Sequence, residues 1–453
     1  MKYDAIIIGF GKGGKTLAGA LAQRGETVAL VEKSAKMYGG TCINVGCIPS
    51  KSLVRSSMLS KLAAAPSFAE KAAAYKDAIA EKRRVTAMLR QKNYDKLASL
   101  SNVTIFDAEA SFLSPTKLLL KTQSGEETIE GDRIFINTGS TPVLPKIRGI
   151  EGNPRVFTSE TLMELDALPE RLTIIGGGYI GLEFASIYAG FGSAVTVLQD
   201  GAVFIPREDR DMAAAIQKAL EDAGVRFVFS AAISEIKEGA VHYQKDGEAH
   251  SLAGDAVLIA TGRRPNTDAL RAENAGVELT PRGAVKVDER LRTTAPNIWA
   301  MGDVCGALQF TYISLDDYRI VLSQLYGDRS RNSGNRNHVP YSVFMSPAFS
   351  RVGLNETEAR AAGRAIKIAK LPAMAIPKAQ VLKHPVGLLK AVIDAETNQI
   401  LGAMLFCEES YEMINLVKIA MDLNAEYTVL RDAIYTHPTM SEALNDLFAA
   451  VSS

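Results

Sequence analysis

Short apolar runs alternate with longer amphipathic stretches over the first two thirds of the chain, the pattern of strands feeding helices in an α/β fold. Residues 5–8 read as a buried strand, followed by the loop Gly9-Phe10-Gly11-Lys12-Gly13-Gly14, a helix over 15–24 and a second strand over 27–32 that ends on Glu32. Residues 61–98, rich in Ala, Lys and Arg, read as one or two long helices with a solvated charged face. Residues 103–135 read as short β segments that close on a strand running into the turn Asn137-Thr138-Gly139.

The same pattern then recurs. A strand at 172–175 leads into Gly176-Gly177-Gly178-Tyr179-Ile180-Gly181, a helix over 182–191 and a strand over 194–198. Gly9 to Glu32 and Gly176 to Gln199 are both separations of 23 residues. A second strand-and-turn, Val257 to Gly262, matches the first. Strand, glycine turn, helix and strand in that order form the dinucleotide fingerprint, in which glycines let a pyrophosphate approach a helix N-terminus. The Glu32 carboxylate can accept hydrogen bonds from a ribose. Two such units imply two dinucleotides. Beyond 262 the periodicity changes. Ile298 to Asp303 reads as a short strand ending in a Gly-Asp turn, and 328–338 as a polar linker. Strands near 341–345, 366–371, 388–394 and 400–406 then alternate with helices near 355–362, 409–423 and 427–434, an α+β domain.

Composition narrows the function. The 453 residues suit two to four domains, and 47% hydrophobic with 23% charged residues is an ordinary globular balance. The 51 basic and 51 acidic residues cancel, which argues against a nucleic-acid partner. Met1 to Asp4 run straight into the first strand, leaving no room for a leader, and no apolar run is long enough to span a bilayer. Four cysteines are too few for a secreted disulfide framework, so a reducing cytoplasm is the expected setting.

Two of those cysteines, Cys42 and Cys47, lie in Gly39-Gly40-Thr41-Cys42-Ile43-Asn44-Val45-Gly46-Cys47-Ile48-Pro49-Ser50-Lys51. On a regular helix their spacing would give about 7.5 Å of rise and roughly 140° of rotation. They can bond only if the chain bends between them, with Gly46 as the joint. Pro49 suits the first turn of a helix. A zinc site lacks a second ligand pair nearby. Two unrelated free thiols in a loop and a redox-active dithiol both fit the spacing.

These motifs, together with Ala260-Thr261-Gly262-Arg263-Arg264-Pro265-Asn266, Met301-Gly302-Asp303-Val304 and His437-Pro438-Thr439-Met440-Ser441-Glu442, resemble the flavoprotein disulfide reductases: glutathione reductase, dihydrolipoamide dehydrogenase and mercuric reductase. The resemblance covers nearly the whole chain. It implies an FAD domain over 1–145 and 263–332, an inserted NAD(P) domain over 146–262, and a dimerisation domain over 333–453. It implies FAD on Gly9, Gly11, Gly14, Glu32, Lys51, Thr138, Gly139, Asp303 and Thr311, and NADH or NADPH on Gly176, Gly178, Tyr179, Gly181, Gln199, Asp200 and Gly262. It makes Cys47 the flavin-side sulfur and Cys42 the sulfur that attacks substrate. Lys51 with Glu183 is the implied ion pair beside the flavin, and Tyr179 the implied cover over it. In a homodimer His437, oriented by Glu442, is the implied acid/base for the partner chain's dithiol. His242, His250, His338 and His384 have no partner pattern, and Cys305 and Cys407 read as buried thiols.

Departures from the family shape the substrate. The C-terminus, Phe448 to Ser453, carries no cysteine pair, unlike mercuric reductase. Gln199-Asp200 replaces the glutamate usual for NAD; Asp200 would repel a 2′-phosphate, which favours NADH. The segments 309–318, 343–353 and 435–442 resemble a bacterial branch of reactive-chlorine resistance reductases. That branch implies a role in oxidative stress, with Cu(II), Hg(II) or an oxidised thiol as acceptor and Cys42 and Cys47 as the groups that would touch a substrate metal. No structural metal is expected. Dihydrolipoamide dehydrogenase and a redox sensor with a regulatory dithiol are the alternative readings.

Overall fold

The structure, a computed structural model, describes residues 1–62 and 67–451. Residues 63–66, inside the expected helical stretch 61–98, and the last two residues of the C-terminal tail lie outside the described residues.

The run Ala5–Ile8 is buried because its strand is central. Lys2–Ile8 pairs in parallel with Val28–Glu32 on one side and with Gly125–Ile136 on the other. The sheet has seven strands, with Val103–Asp107 beyond Val28–Glu32, Lys117–Thr122 and Glu109–Phe112 as an antiparallel extension, and Ile298–Ala300 in parallel with Gly125–Ile136. The chain leaves the central strand where its two neighbours diverge, the place where doubly wound sheets open a crevice at their carboxyl ends. Gly9 stands at that point.

The second sheet repeats the design with five parallel strands, in the order Arg226–Val228, Ala194–Leu198, Arg171–Ile175, Ala256–Ile259, Val156–Thr158. A three-stranded antiparallel meander, Ala232–Lys237, Ala240–Lys245 and Glu248–Ala253, is inserted before its fifth strand in chain order. Ser140–Pro142 and Arg263–Pro265, where the chain passes between the two sheets, pair antiparallel. The third sheet is antiparallel: Tyr341–Val343, Phe349–Gly353, Ile400–Phe406, Leu388–Asp394, Ile366–Pro372.

Some elements depart from expectation. The first glycine helix is Lys12–Ala22, three residues earlier at its start than 15–24. Gly13 and Gly14 fit inside it because Ser314 Oγ and Asn137 Oδ1 accept their N–H groups at 3.0 and 2.9 Å. The second glycine helix likewise starts early, at Tyr179. Phe349–Gly353 is a strand that the chain pattern hides, because Ser350 and Arg351 are buried polar residues within it. Ala443–Ala449 is a further short helix.

The helices that carry the dithiol are fixed by packing. Cys47–Leu62 lies against Phe68–Ala98 and Tyr179–Phe191 in one apolar cluster that includes Leu53, Tyr75, Tyr188 and Phe191. Burying side chains of this size stabilises by about 1.5–3 kcal/mol each. The Tyr75 and Tyr188 hydroxyls meet at 3.0 Å, and Ser57 Oγ donates to the Ile187 carbonyl at 2.9 Å. A Cβ at Gly190 would lie 1.9 Å from Ser57 Oγ, so the crossing requires glycine. Among the described residues no helix is long and apolar enough to cross a membrane.

Candidate active site

Gly39 and Gly40 turn the chain with φ of 95° and 78°. A Cβ on Gly40 would stand 2.7 Å from Gly11 Cα, so the cysteine stretch is pressed onto the first glycine loop. Thr41–Asn44 makes one helical turn, Val45 breaks it, and Cys47 opens the helix Cys47–Leu62. This is the bend that the cysteine spacing requires. The role of Gly46 differs from a flexible joint: its φ is not positive, but a Cβ there would meet the Thr41 carbonyl oxygen at 3.0 Å.

Both cysteines are half-buried free thiols in hydrogen-bond contact. Cys47 is pulled down to about 6 by the Cys42 hydrogen bond, helped by Thr311 and by the Lys51 charge, against burial. Thr311 Oγ1, from the first residue of the helix Thr311–Tyr326, lies 3.4 Å from Cys47 Sγ. Cys42 is pushed up by the same hydrogen bond and by burial. The pair therefore shares one negative charge, placed on Cys47 at the start of a helix, where the backbone dipole also favours a thiolate.

Cys42 and Cys47 face a cavity of about 1700 Å³. Lys51 and Glu183 line it together, with Nζ 2.8 Å from Oε2. The Phe344 N–H donates to the other oxygen of Glu183 at 2.8 Å, and Lys51 Nζ sits 4.6 Å over the Phe344 ring. The Asp303 carboxyl, also in the wall, accepts from Ser140 Oγ at 2.8 Å and is pushed up by burial.

The residues on the first loop fit a flavin dinucleotide. The cavity exceeds the volume that drug-sized ligands need, and it runs from Glu32 past Gly9 and Gly11 to Cys47 and Thr311. Gly9 has a φ of 104°, and a Cβ there would lie 2.3 Å from the Asn137 carbonyl oxygen. Gly14 is packed as closely, 2.6 Å from the Gly9 carbonyl oxygen. The Glu32 oxygens accept from the Phe10 and Ser34 N–H groups at 3.0 and 3.3 Å, and burial pushes this carboxyl up. Thr138 turns its hydroxyl inward to the Asn266 carbonyl at 2.7 Å, while Gly139 leaves an open surface toward the cavity.

The second loop is built differently. Gly176 and Gly181 are close-packed, with Cβ positions 2.5 Å from the Ala260 carbonyl oxygen and 2.1 Å from that of Gly176. Gly178 and Gly262 have no atom within 4 Å of theirs, so that face is open for a ligand. Gln199 Nε2 donates to the Val203 carbonyl at 2.8 Å, and Asp200 is exposed, accepting from the Gly201 N–H at 2.8 Å. Gly176, Gly178 and Gln199 lie outside the cavity wall; Tyr179 lies in it.

His437 and Glu442 are paired, Nδ1 to Oε2 at 2.8 Å, but the imidazole is 71% exposed and neither residue lines the cavity. One chain by itself does not bring them to the dithiol. His338 and His384 do have partners: Asp422 at 3.1 Å and Glu408 respectively. Cys407 is fully buried, whereas Cys305 is partly exposed. A residue that the motifs did not flag is Lys15, whose ammonium is bound by the Gly39 carbonyl and Asn93 Oδ1 and is lowered to about 8, mainly by burial.

Known proteins resemble this chain over nearly its whole length. The pyridine nucleotide-disulphide oxidoreductase family matches residues 3–317, and the dimerisation domain of the same family matches 339–448. A probable pyridine nucleotide-disulfide oxidoreductase of Escherichia coli K12, RclA, is 50% identical over 99% of both chains. Dihydrolipoyl dehydrogenase of Bacillus subtilis is 32% identical over 97% of this chain and 96% of its own. Mercuric reductase of Lysinibacillus sphaericus is 30% identical over 98% of this chain and 81% of its own. Among solved structures, a Cu(II) complex of the HOCl-induced flavoprotein disulfide reductase RclA from Escherichia coli superposes with a TM-score of 0.95, at 49% identity and full coverage of both chains.

Proposed function

The chain belongs to the pyridine nucleotide-disulphide oxidoreductase family, whose members use FAD and NADH or NADPH, and from that premise we propose that it reduces Cu(II) through Cys42 and Cys47 as part of oxidant defence. The observation that carries the reading is the low-titrating Cys47 beside Thr311 and the Lys51–Glu183 pair, in one cavity with the first glycine loop. The acceptor is suggested by the 49% identical relative whose structure is a Cu(II) complex. Hg(II) and oxidised thiols are further acceptors that a dithiol can serve.

Bound FAD supplies the two-electron relay between nicotinamide and thiols. The chain's own groups do the rest. Cys47 holds the negative charge of the reduced pair, and Cys42 holds the proton. Two Cu(II) ions take one electron each from the dithiol; the sulfurs join as a disulfide, two Cu(I) ions leave and the thiol proton is released. Lys51, fixed by Glu183 and Phe344, places a positive charge where negative charge collects.

The proton acceptor in this reading is His437 of the partner subunit. Glu442 accepts from its Nδ1, which leaves Nε2 free to exchange a proton with Cys42. A homodimer also accounts for the uncovered apolar residues of the same domain: Ile419, Leu423, Val429 and Ile434, at 55, 74, 55 and 101% exposure. The reading divides the chain into a flavin part, 1–145 with 263–332, a nicotinamide part, 146–262, and a dimerisation part from 333. It places the enzyme in the cytoplasm, where nicotinamide can keep the pair reduced.

The test is steady-state oxidation of NADH and NADPH against Cu(II), Hg(II), oxidised glutathione and lipoamide. Copper-dependent NADH oxidation that disappears in Cys42→Ser is expected. Vigorous NAD-linked oxidation of dihydrolipoamide, with no metal-dependent NADH oxidation, would replace this reading with a lipoamide dehydrogenase.

A further inference from the structure

Tyr179 stands at a boundary. It opens the helix that follows the second glycine loop, and it is the residue of that fingerprint, with Ile180, that reaches the cavity holding Cys47. Gly178, directly before it, faces open space. Anything that passes electrons from the second loop to the dithiol must occupy space near this ring.

The ring is tied down. Tyr179 Oη donates to Glu208 Oε1 at 2.5 Å. Tyr341 Oη donates to the same oxygen, also at 2.5 Å, and the two hydroxyls are 3.2 Å apart. The rings lie 5.6 Å apart at 31°. The other oxygen of Glu208 accepts from Arg351 Nη1 at 3.2 Å. Glu208 has no exposed side-chain surface, and Arg351 has 7%. Tyr341 and Arg351 are cross-strand partners in the third sheet. The next residue is anchored as well, because Asp209 accepts the Glu356 and Thr357 N–H groups at 3.0 and 3.1 Å.

With two donors on one buried oxygen, one remains when the other leaves. If Tyr179 swings away, Glu208 keeps Tyr341 and Arg351 and is not left bare. A buried carboxylate oxygen without a donor is costly, so a second donor lowers the free energy of opening. We propose that Glu208 and Tyr341 form a latch for Tyr179: Glu208 holds the ring across the path between nicotinamide loop and dithiol, and Tyr341 keeps the carboxylate satisfied while the ring is displaced by the nicotinamide. Both are positioning residues, and the inference rests on the reading of the second loop as a nicotinamide site.

The alternative is that the cluster only cements the second sheet to the third. The two are separated by a double-mutant cycle read as binding. The flavin-loaded enzyme, as wild type, Tyr341→Phe, Tyr179→Phe and the double variant, is titrated calorimetrically with NAD⁺ and with NADP⁺, and melting temperatures are recorded. With Tyr341→Phe, Tyr179 becomes the only hydroxyl donor to that oxygen and is held more tightly, so dinucleotide binding weakens about threefold to tenfold. Tyr179→Phe, whose ring is untied, binds more tightly than wild type. In the Tyr179→Phe background, Tyr341→Phe changes binding by less than about twofold. Equal shifts in both backgrounds, or none in either, overturn the latch while leaving the nicotinamide site intact. A wild-type enzyme that binds neither dinucleotide overturns the site and the latch together. Should Tyr341→Phe lower the melting temperature sharply, Glu208→Gln takes its place. Its amide oxygen can still accept from both tyrosines, without the charge that strengthens those bonds and with its NH2 turned to Arg351, which loses an acceptor, and dinucleotide binding should tighten. Weaker binding in Glu208→Gln, with an unchanged melting temperature, counts against the latch.

Discussion

The two glycine fingerprints have the same order of elements and the same spacing, yet they are finished in opposite ways. In the first, N–H groups of the helix start are used up inside the protein, Gly13 on Ser314 Oγ and Gly14 on Asn137 Oδ1. These partners come from 301 and 123 residues away. The loop is thereby locked into a wall shared with Cys42, Gly40 and Lys51. In the second, Gly178 at the start of the helix Tyr179–Phe191 faces open space. The acids differ as well: Glu32 is buried and accepts backbone N–H groups, whereas Gln199 donates to carbonyls and its neighbour Asp200 is exposed. A packed loop suits a ligand that stays, an open loop one that is exchanged. Under the proposed reading, that is what a resident flavin and a visiting nicotinamide would require of the same motif.

The largest effect should come from the residue that only the first region possesses. Cys47→Ser should lower acceptor reduction by at least about a thousandfold, while flavin remains bound and NADH still bleaches its absorbance. Loss of bleaching in this variant would mean that Cys47 supports the flavin site itself. Next come the glycines. Gly9→Ala places a methyl 2.3 Å from a backbone oxygen at a φ of 104°, so the loop must move and the flavin should be lost, visible as a drop in the ratio of flavin to protein absorbance. Gly178→Ala meets nothing within 4 Å and has an extended φ of −77°, so flavin content and melting temperature should stay close to wild type. If the two alanines behave alike, the contrast between locked and open loops is wrong.

The acidity of Cys47 gives a smaller, graded effect. Its thiol is lowered from 9.0 to about 6, so the thiolate is present above that pH and is protonated below it. In the reduced dithiol enzyme, the long-wavelength absorbance of a thiolate beside a flavin should grow as pH rises through about 6 and fade as pH falls. Thr311→Val removes a hydrogen bond that lowers Cys47, and the midpoint should move upward. A midpoint that stays near that of a free thiol in the wild type would show that the charge is not on Cys47.

What could be read from the chain follows the same divide. Both loops, the dithiol and the His437–Glu442 pair are legible because each is a contiguous run whose backbone or spacing is unusual. The Lys51–Glu183 pair, 132 residues apart, is legible only through the two motifs that carry its ends. Tyr341 and Arg351 reach Glu208 across 133 and 143 residues, and no local pattern marks them. The strand Phe349–Gly353 is hidden for the same cause: Arg351 is buried because its partner Glu208 comes from the distant loop between Leu198 and Arg210. The meander 232–253 is hidden differently, by the half-buried Glu235 and by the few large apolar residues in Glu248–Ala253, which weaken the alternation. His384 and Glu408 are 24 residues apart, too far to be seen as a pair without the fold.

The smallest expected effect concerns the residue where the two fingerprints differ most plainly. Gln199 occupies the place of Glu32, at the end of the second strand of its unit. Its amide nitrogen donates to the Val203 carbonyl at 2.8 Å, and its Oε1 would lie 2.1 Å from a Cβ on Gly177, so the side chain leans over the loop. Gln199→Glu keeps the shape, removes that donor and adds a negative charge next to Asp200. A carboxylate here can accept from ribose hydroxyls, as Glu32 is placed to do, but it repels a 2′-phosphate. NADPH binding should therefore weaken relative to NADH by about threefold to tenfold, measured as the ratio of kcat/KM values. The flavin content should not change, because the first loop is built without this residue. If NADPH use rises or the ratio is unmoved, the ribose does not lie against Gln199, and the second fingerprint differs from the first in its docking direction as well as in its openness.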